Sequence, residues 1–250
     1  MKNFLQLLII SLLFSCSTQE QSKDFSPEYE YIAHAGGVID SCVYTNSSEA
    51  MELALANGFR FVEFDFLFTS DSVLVAAHSW SEFNQMTDSA HLGDSAPSFN
   101  DFISRKIYGR YTPLSASEIN TFFEQHDSLF LVTDKISQPE ALQEYFPKIK
   151  ERMVVEAFSF QHYCRLKSQG YYRVLYSCMA DDIMSTLLST SINDIEWMAL
   201  HISAFDNYLF KLVNHFKQFN IALFTINDLE DIPREYRGMV KMVYTDFLWP

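Results

Sequence analysis

Residues 60–68 read Arg-Phe-Val-Glu-Phe-Asp-Phe-Leu-Phe, and they narrow the folds open to this chain more than any other stretch. Aromatic and branched apolar types dominate, which predicts a strand. Alternate side chains of a strand face opposite ways. One face is therefore Val62, Phe64, Phe66 and Phe68, an apolar surface that needs covering helices. The other is Phe61, Glu63, Asp65 and Leu67, with its two acids about 7 Å apart along the strand. Two carboxylates in a half-buried place repel each other, and each resists losing its water. A divalent cation relieves both problems, and hard cations take oxygen ligands. A solvated strand face would explain the acids if they stood alone. Here His34 with the diglycine Gly36-Gly37 precedes them and His78 follows them, all within 45 residues.

Strand-like and helix-like segments alternate through the rest of the chain. Strands are expected at 31–35, 60–68, 129–134, 152–157, 173–177, 195–202, 220–226 and 240–246. Amphipathic helices are expected at 47–57, 116–126, 138–149, 160–169, 180–189, 205–218 and 228–235. The pattern implies an α/β fold, a (β/α)8 TIM-type barrel in one domain over residues 30–250, with functional groups at strand C-terminal ends. Residues 79–113 form the longest irregular region, an excursion over the barrel mouth in which His91 reads as a solvated loop residue. Asn46 with Glu49 three residues later fits a helix N-cap and its reciprocal partner, and Gly58 fits the stop. Asn46 also stands where it could contact a ligand. The diglycine lets backbone approach a phosphate at Gly36. Trp80, two residues from His78, is expected to wall the pocket or to pack.

The amino terminus is read as a leader. Lys2 precedes an apolar run from Phe4 to Phe14, too short to span a bilayer and typical of a secretory signal over residues 1–15. Leu13-Phe14-Ser15-Cys16 resembles a bacterial lipobox, which implies cleavage before Cys16, lipid attachment there, and a tether through residue 29. The expected location is the bacterial cell envelope, exported and lipid-anchored on the periplasmic or outer face. The formal charge of −14 disfavours nucleic acid and anionic membranes as partners, leaving the lipid anchor as the membrane contact. It would also repel an anionic substrate, so a phosphate site must carry its own positive charge. Cys42, Cys164 and Cys178 match no zinc spacing and are read as buried thiols.

Several of these pieces resemble the glycerophosphodiester phosphodiesterase family of phospholipase C-like barrels. They are His34 with Gly36, Asn46-Ser47 with Ala50, Glu63-x-Asp65, and Thr69-Ser70-Asp71 leading to Val73 and on to His78. Looser matches follow at residues 131–135, 158–159, 224–227 and 244–246. The resemblance implies cleavage of a phosphodiester small molecule or lipid head group with a divalent metal, Mg²⁺ or Ca²⁺. It assigns acid–base roles to His34 and His78, charge stabilisation to Lys135, and metal ligation to Glu63, Asp65 and Asp134.

The chain departs from the family pattern in three places. Ala35 stands where the family usually has a phosphate-contacting arginine, and Ser79 where it has aspartate. Asp134 and Lys135 are adjacent, whereas the family's acid and lysine lie two apart, and a regular strand cannot aim neighbours at one interior. Either Asp134 faces inward with Lys135 bending in at the strand end, the arrangement favoured, or Lys135 faces inward and Glu156 supplies the missing oxygen. Metal-dependent phosphodiester hydrolysis is the leading reading. An impaired barrel that binds phosphate or metal without turnover is the alternative, and a sugar-processing barrel is a third. His201 ends an expected strand as a further candidate, while His126, His162 and His215 read as surface residues.

Overall fold

A computed structural model of the chain describes residues 29–177, 194–206 and 219–250. Nine strands are present among them: β1 (Glu30–Ala33), β2 (Phe61–Phe68), β3 (Leu74–Ala76), β4 (Phe130–Asp134), β5 (Met153–Ala157), β6 (Arg173–Ser177), β7 (Trp197–His201), β8 (Asn220–Phe224) and β9 (Val240–Thr245). Eight of them pair in parallel in the order β1-β9-β8-β7-β6-β5-β4-β2, and β1 pairs back onto β2 to close a TIM-type barrel. The ninth, β3, folds antiparallel onto the outer half of β2. Each of the eight expected strands is found. The hairpin partner β3 was not expected.

The two faces of β2 separate as its period requires. Val62, Phe64 and Phe66 enter the shell beneath the helices, with Leu131, Val155, Val174, Leu200, Leu223 and Val243. Phe64 and Phe66 are almost wholly buried, each worth about 1.5–3 kcal/mol in apolar burial. Phe68 departs from the expected apolar face, because it is exposed beyond the shell, beside Leu74 of β3 and with Tyr145 at 6.4 Å. Inside the barrel, Ile32, Phe61, Val132, Val154, Leu175, Ala199, Ala222 and Met242 form a second core. Parallel strands buried on both faces need this dense apolar content.

The described helices are α1 (Ser48–Ala56), α2 (Trp80–Met86), α3 (Phe99–Ser104), α4 (Ala116–Gln125), α5 (Pro139–Tyr145) and α6 (Phe160–Ser168). Among the described residues no helix is long and apolar enough to cross a membrane. The cap of α1 is Ser47, whose hydroxyl accepts from Ala50 N at 3.4 Å; Asn46 is not the cap. Glu49 does not reach back to a cap either. Its carboxylate accepts from Thr112 N at 2.7 Å and Thr112 Oγ1 at 2.8 Å, which ties α1 to the end of the excursion.

That excursion is not irregular throughout. It carries α2 and α3, and it has its own core of Val75, Ala77, Phe83, Phe102, Ile107 and Tyr111, with Phe83 and Phe102 stacked at 4.5 Å. His91 is exposed in a short turn, as expected. The helix expected at 228–235 is instead two 3-10 turns, Leu229–Asp231 and Arg234–Tyr236, because Pro233 breaks the run between them. The helix expected at 180–189 and most of that at 205–218 lie outside the described residues, as do the leader, Cys16, Cys178 and His215. Cys164 is an exposed free thiol and Cys42 a half-buried one, so neither is the buried thiol expected.

Candidate active site

Climbing the inner face of β2, the barrel changes character from Phe61 through Glu63 to Asp65. Asp65 lies level with Asp134 on the neighbouring strand β4. Carboxylate oxygens of Glu63, Asp65 and Asp134 all fall within 4.8 Å of one another. Glu63 and Asp65 are buried and Asp134 nearly so. Glu63 Oε2 accepts from Ala35 N at 2.6 Å, but its Oε1 is buried with no hydrogen-bond partner. Burial, and next the Asp65 carboxylate, push Glu63 well above the ordinary carboxylate range. Burial first, then Glu156 and Asp65, push Asp134 up to about 8.

Three crowded carboxylates with one orphaned oxygen fit a hard divalent cation, which would supply the missing positive charge. Glu156 stands close enough to act on Asp134, yet it is outside this triad. Tyr244 Oη donates to its Oε1 at 2.5 Å across the barrel, and burial raises it to about 7.

The adjacency of Asp134 and Lys135 is resolved by the backbone. Asp134 faces inward as the last residue of β4, and Lys135 adopts φ +63°. This left-handed turn at the strand end swings the lysine over the mouth, where Nζ lies 3.2 Å from Asp65 Oδ1 and donates to the His78 carbonyl. Asn46 is fully buried and doubly bonded to Asp65. Its Nδ2 donates to Asp65 Oδ2 at 3.1 Å, and its Oδ1 accepts from Asp65 N at 3.2 Å. It fixes a carboxylate of the triad rather than capping the helix.

Both site histidines are anchored through Nδ1. His34 follows β1 and bonds Asp246 Oδ1 at 3.0 Å, just past β9. His78 bonds Glu82 Oε2 one helical turn on. Glu82 in turn accepts from Ser79 Oγ at 3.1 Å, while Ser79 caps α2 by accepting from Glu82 N at 3.3 Å. An Nδ1 partner fixes the ring's orientation and leaves Nε2 for chemistry. The ring of Tyr44 touches both imidazoles, at centroid distances of 4.6 Å and 4.8 Å. Burial, followed by Asp246 and Asp65, raises its phenol to about 12, so it stays protonated.

The other candidates are placed as follows. Gly36 has φ +83°, and a Cβ there would come within 3.1 Å of Phe64, so the close approach requires glycine. Trp80 packs edge-on to Phe83 and Phe102 at 6.1 and 6.2 Å, inside the excursion's core. His201 is exposed and bonds Ser203 Oγ at 2.8 Å. His126 bonds the Phe122 carbonyl at the end of α4, and His162 bonds Ser137 Oγ.

Sequence reasoning missed Tyr44, Glu82 and the role of Asp246. Glu82 could have been found, since it lies four residues from His78 and completes a Ser79-x-x-Glu82 helix start. A cavity of about 740 Å³ lies at the opposite end of the barrel, against Phe61, Arg173, Trp197 and Met242, and contains none of the site residues.

Residues 40–151 match the profile of the Glycerophosphoryl diester phosphodiesterase family. That segment is 112 of the chain's 250 residues, and over it the chain is similar to this family. The matched segment contains Asn46, Glu63, Asp65, His78, Asp134 and Lys135, and the match places the chain among phosphoric diester hydrolases. No curated protein matches the sequence. The fold is shared with solved structures. A phosphodiesterase of Oleispira antarctica, in complex with the product sn-glycerol-3-phosphate, is 19% identical with a TM-score of 0.63, over 87% of this chain and 93% of that one. A glycerophosphodiester phosphodiesterase of Thermotoga maritima is 16% identical with a TM-score of 0.63, over 88% and 95% of the two chains.

Proposed function

We propose that this protein hydrolyses a glycerophosphodiester, or a related phospholipid-derived head group, at the C-terminal mouth of the barrel. One observation carries the reading: two imidazoles, each held at Nδ1 by a carboxylate, stand at strand ends beside the buried triad Glu63, Asp65 and Asp134. The triad would hold Mg²⁺ or Ca²⁺, and an ion bound there offsets phosphate charge and lowers the pKa of a coordinated hydroxyl. One imidazole takes the proton of the substrate's own attacking hydroxyl at Nε2 and the other protonates the departing alkoxide oxygen, leaving a cyclic phosphate that water opens with the two imidazoles in exchanged roles. Lys135 sets its ammonium over the mouth, where negative charge grows on the phosphoryl oxygens. Asn46 holds Asp65 in place. Ser79, where the family has aspartate, leaves His78 oriented because Glu82 bonds its Nδ1. Ala35 lends its backbone N–H to Glu63 and has no side-chain donor.

The test is steady-state hydrolysis of glycerophosphocholine with added Mg²⁺ or Ca²⁺. His34→Ala and His78→Ala should each lower kcat by about 10²–10⁴-fold. Full activity in both folded variants would overturn the assignment. The same reading includes attachment of the mature chain to the bacterial envelope through lipid on Cys16. Cys16→Ser should then move the protein from the membrane fraction to the soluble one, and an unchanged distribution would exclude the anchor.

A further inference from the structure

Tyr44 has no part in the chemistry described so far, yet its phenol ring is in contact with both imidazoles. Its hydroxyl lies near Thr225, just beyond β8, and in the field of Asp246, Asp65 and Glu63. A phosphate within reach of both histidines must lie against this ring or displace it.

The backbone that delivers the ring is strained. Ala35, Asp40, Ser41, Tyr44 and Asn46 all have φ between +47° and +64°, a region that residues with a Cβ seldom occupy. Such strain persists only where the surroundings over-determine it, and it gathers at functional sites. The surroundings here do so. Asp40 accepts from Tyr111 Oη at 2.8 Å and pairs with Arg110 at 3.1 Å. Ile39 and Cys42 exchange backbone hydrogen bonds, and Asn46 is clamped on Asp65.

Among the described residues, donors for an anionic substrate are few in this region. Position 35 offers only a methyl group, and Lys135 Nζ is shared between Asp65 and the His78 carbonyl. A phenol adds a donor without adding charge.

We infer that Tyr44 is a substrate-binding residue of this site: its ring is the wall against which the diester lies, and its O–H donates to a phosphate oxygen. The inference rests on the phosphodiesterase reading for the identity of the substrate. It is tested with Tyr44→Phe, which keeps the ring and deletes the hydroxyl, beside Tyr44→Ala. The readouts are glycerophosphocholine hydrolysis and calorimetric titration with sn-glycerol 3-phosphate, each with the same divalent metal.

Loss of a hydrogen bond to a charged acceptor predicts that Tyr44→Phe raises KM and Kd roughly tenfold while kcat stays within about twofold. A role confined to holding the loop would move neither constant in this isosteric variant. Unchanged KM and Kd in Tyr44→Phe overturn the inference, as does a higher kcat/KM in folded Tyr44→Ala, which would make the ring an obstacle. If the wild type binds without turnover and Tyr44→Phe weakens binding, Tyr44 stands and the hydrolase reading falls. If the wild type neither binds nor turns over, both fall.

Discussion

Glu82 shows how a single residue serves a helix start and the orientation of the proposed catalytic His78 together. Its backbone N–H meets the Ser79 hydroxyl, and its carboxylate meets both that hydroxyl and His78 Nδ1. Asp246 does the corresponding work for His34, with Asn227 Nδ2 steadying its other oxygen at 3.2 Å. An imidazole released from its Nδ1 partner turns more freely about χ1 and χ2, so fewer molecules present Nε2 correctly to a bound substrate. Glu82→Ala is therefore expected to lower kcat on the order of tenfold or more, a share of the whole acid–base contribution, with KM little changed. Glu82→Gln, which can still accept from Nδ1, should recover part of that loss. Steady-state kinetics of the two variants decide it. Equal kcat in wild type and Glu82→Ala would show that His78 is oriented by its ring contacts instead.

Among the elements, the end of β4 matters most for the site. A two-residue period cannot send neighbouring side chains inward, and the left-handed backbone at Lys135 solves the problem by ending the strand there. The conformation is costly for a residue with a Cβ and free for glycine. Lys135→Gly and Lys135→Ala both remove the ammonium, but only glycine relieves the backbone. The glycine variant should be more stable than the alanine variant by about 1 kcal/mol in urea denaturation, with both losing activity. An alanine variant as stable as the glycine one would mean that the turn is relaxed in solution.

This turn also marks the limit of what the sequence discloses. The eight barrel strands were legible because each is apolar on both faces, and Glu63 and Asp65 because they interrupt one of those faces at the right period. Short, polar α2 and α3 gave too little periodicity to be read, and β3 is only three residues long. Asn46 was misread because its side chain suits a cap, while its place is decided by a distant partner, Asp65. Tyr44 carried no local signal at all, since its ring partners His34 and His78 are brought to it by the ends of β1 and β3.

Taken as a whole, the barrel is an apolar interior with an acidic upper layer, and this governs how the molecule responds to pH. Burial is the main cause that lifts Asp134 from 3.8 to about 8 and Glu156 from 4.5 to about 7, and Glu63 moves in the same direction. Each of these acids has a folded-state value above its unfolded one. The stability they contribute is therefore complete below about pH 4 and is lost as pH rises through the folded values. For these groups the metal-free fold weakens between roughly pH 4 and 8, the reverse of an ordinary salt-bridged carboxylate. A divalent cation held by the ionised triad, as proposed, would displace protons from it and so would stabilise most at the alkaline end. Thermal melts in chelator should therefore show Tm falling from pH 6 to pH 8.5, and added Mg²⁺ or Ca²⁺ should raise Tm more at pH 8.5 than at pH 6. Titration at pH 7 in buffers of different ionisation enthalpy should reveal proton release on binding. Glu63→Gln, Asp134→Asn should flatten the chelator profile and abolish the metal response together. A metal response that survives in this double variant would place the ion elsewhere on the acidic surface and leave the triad without its occupant.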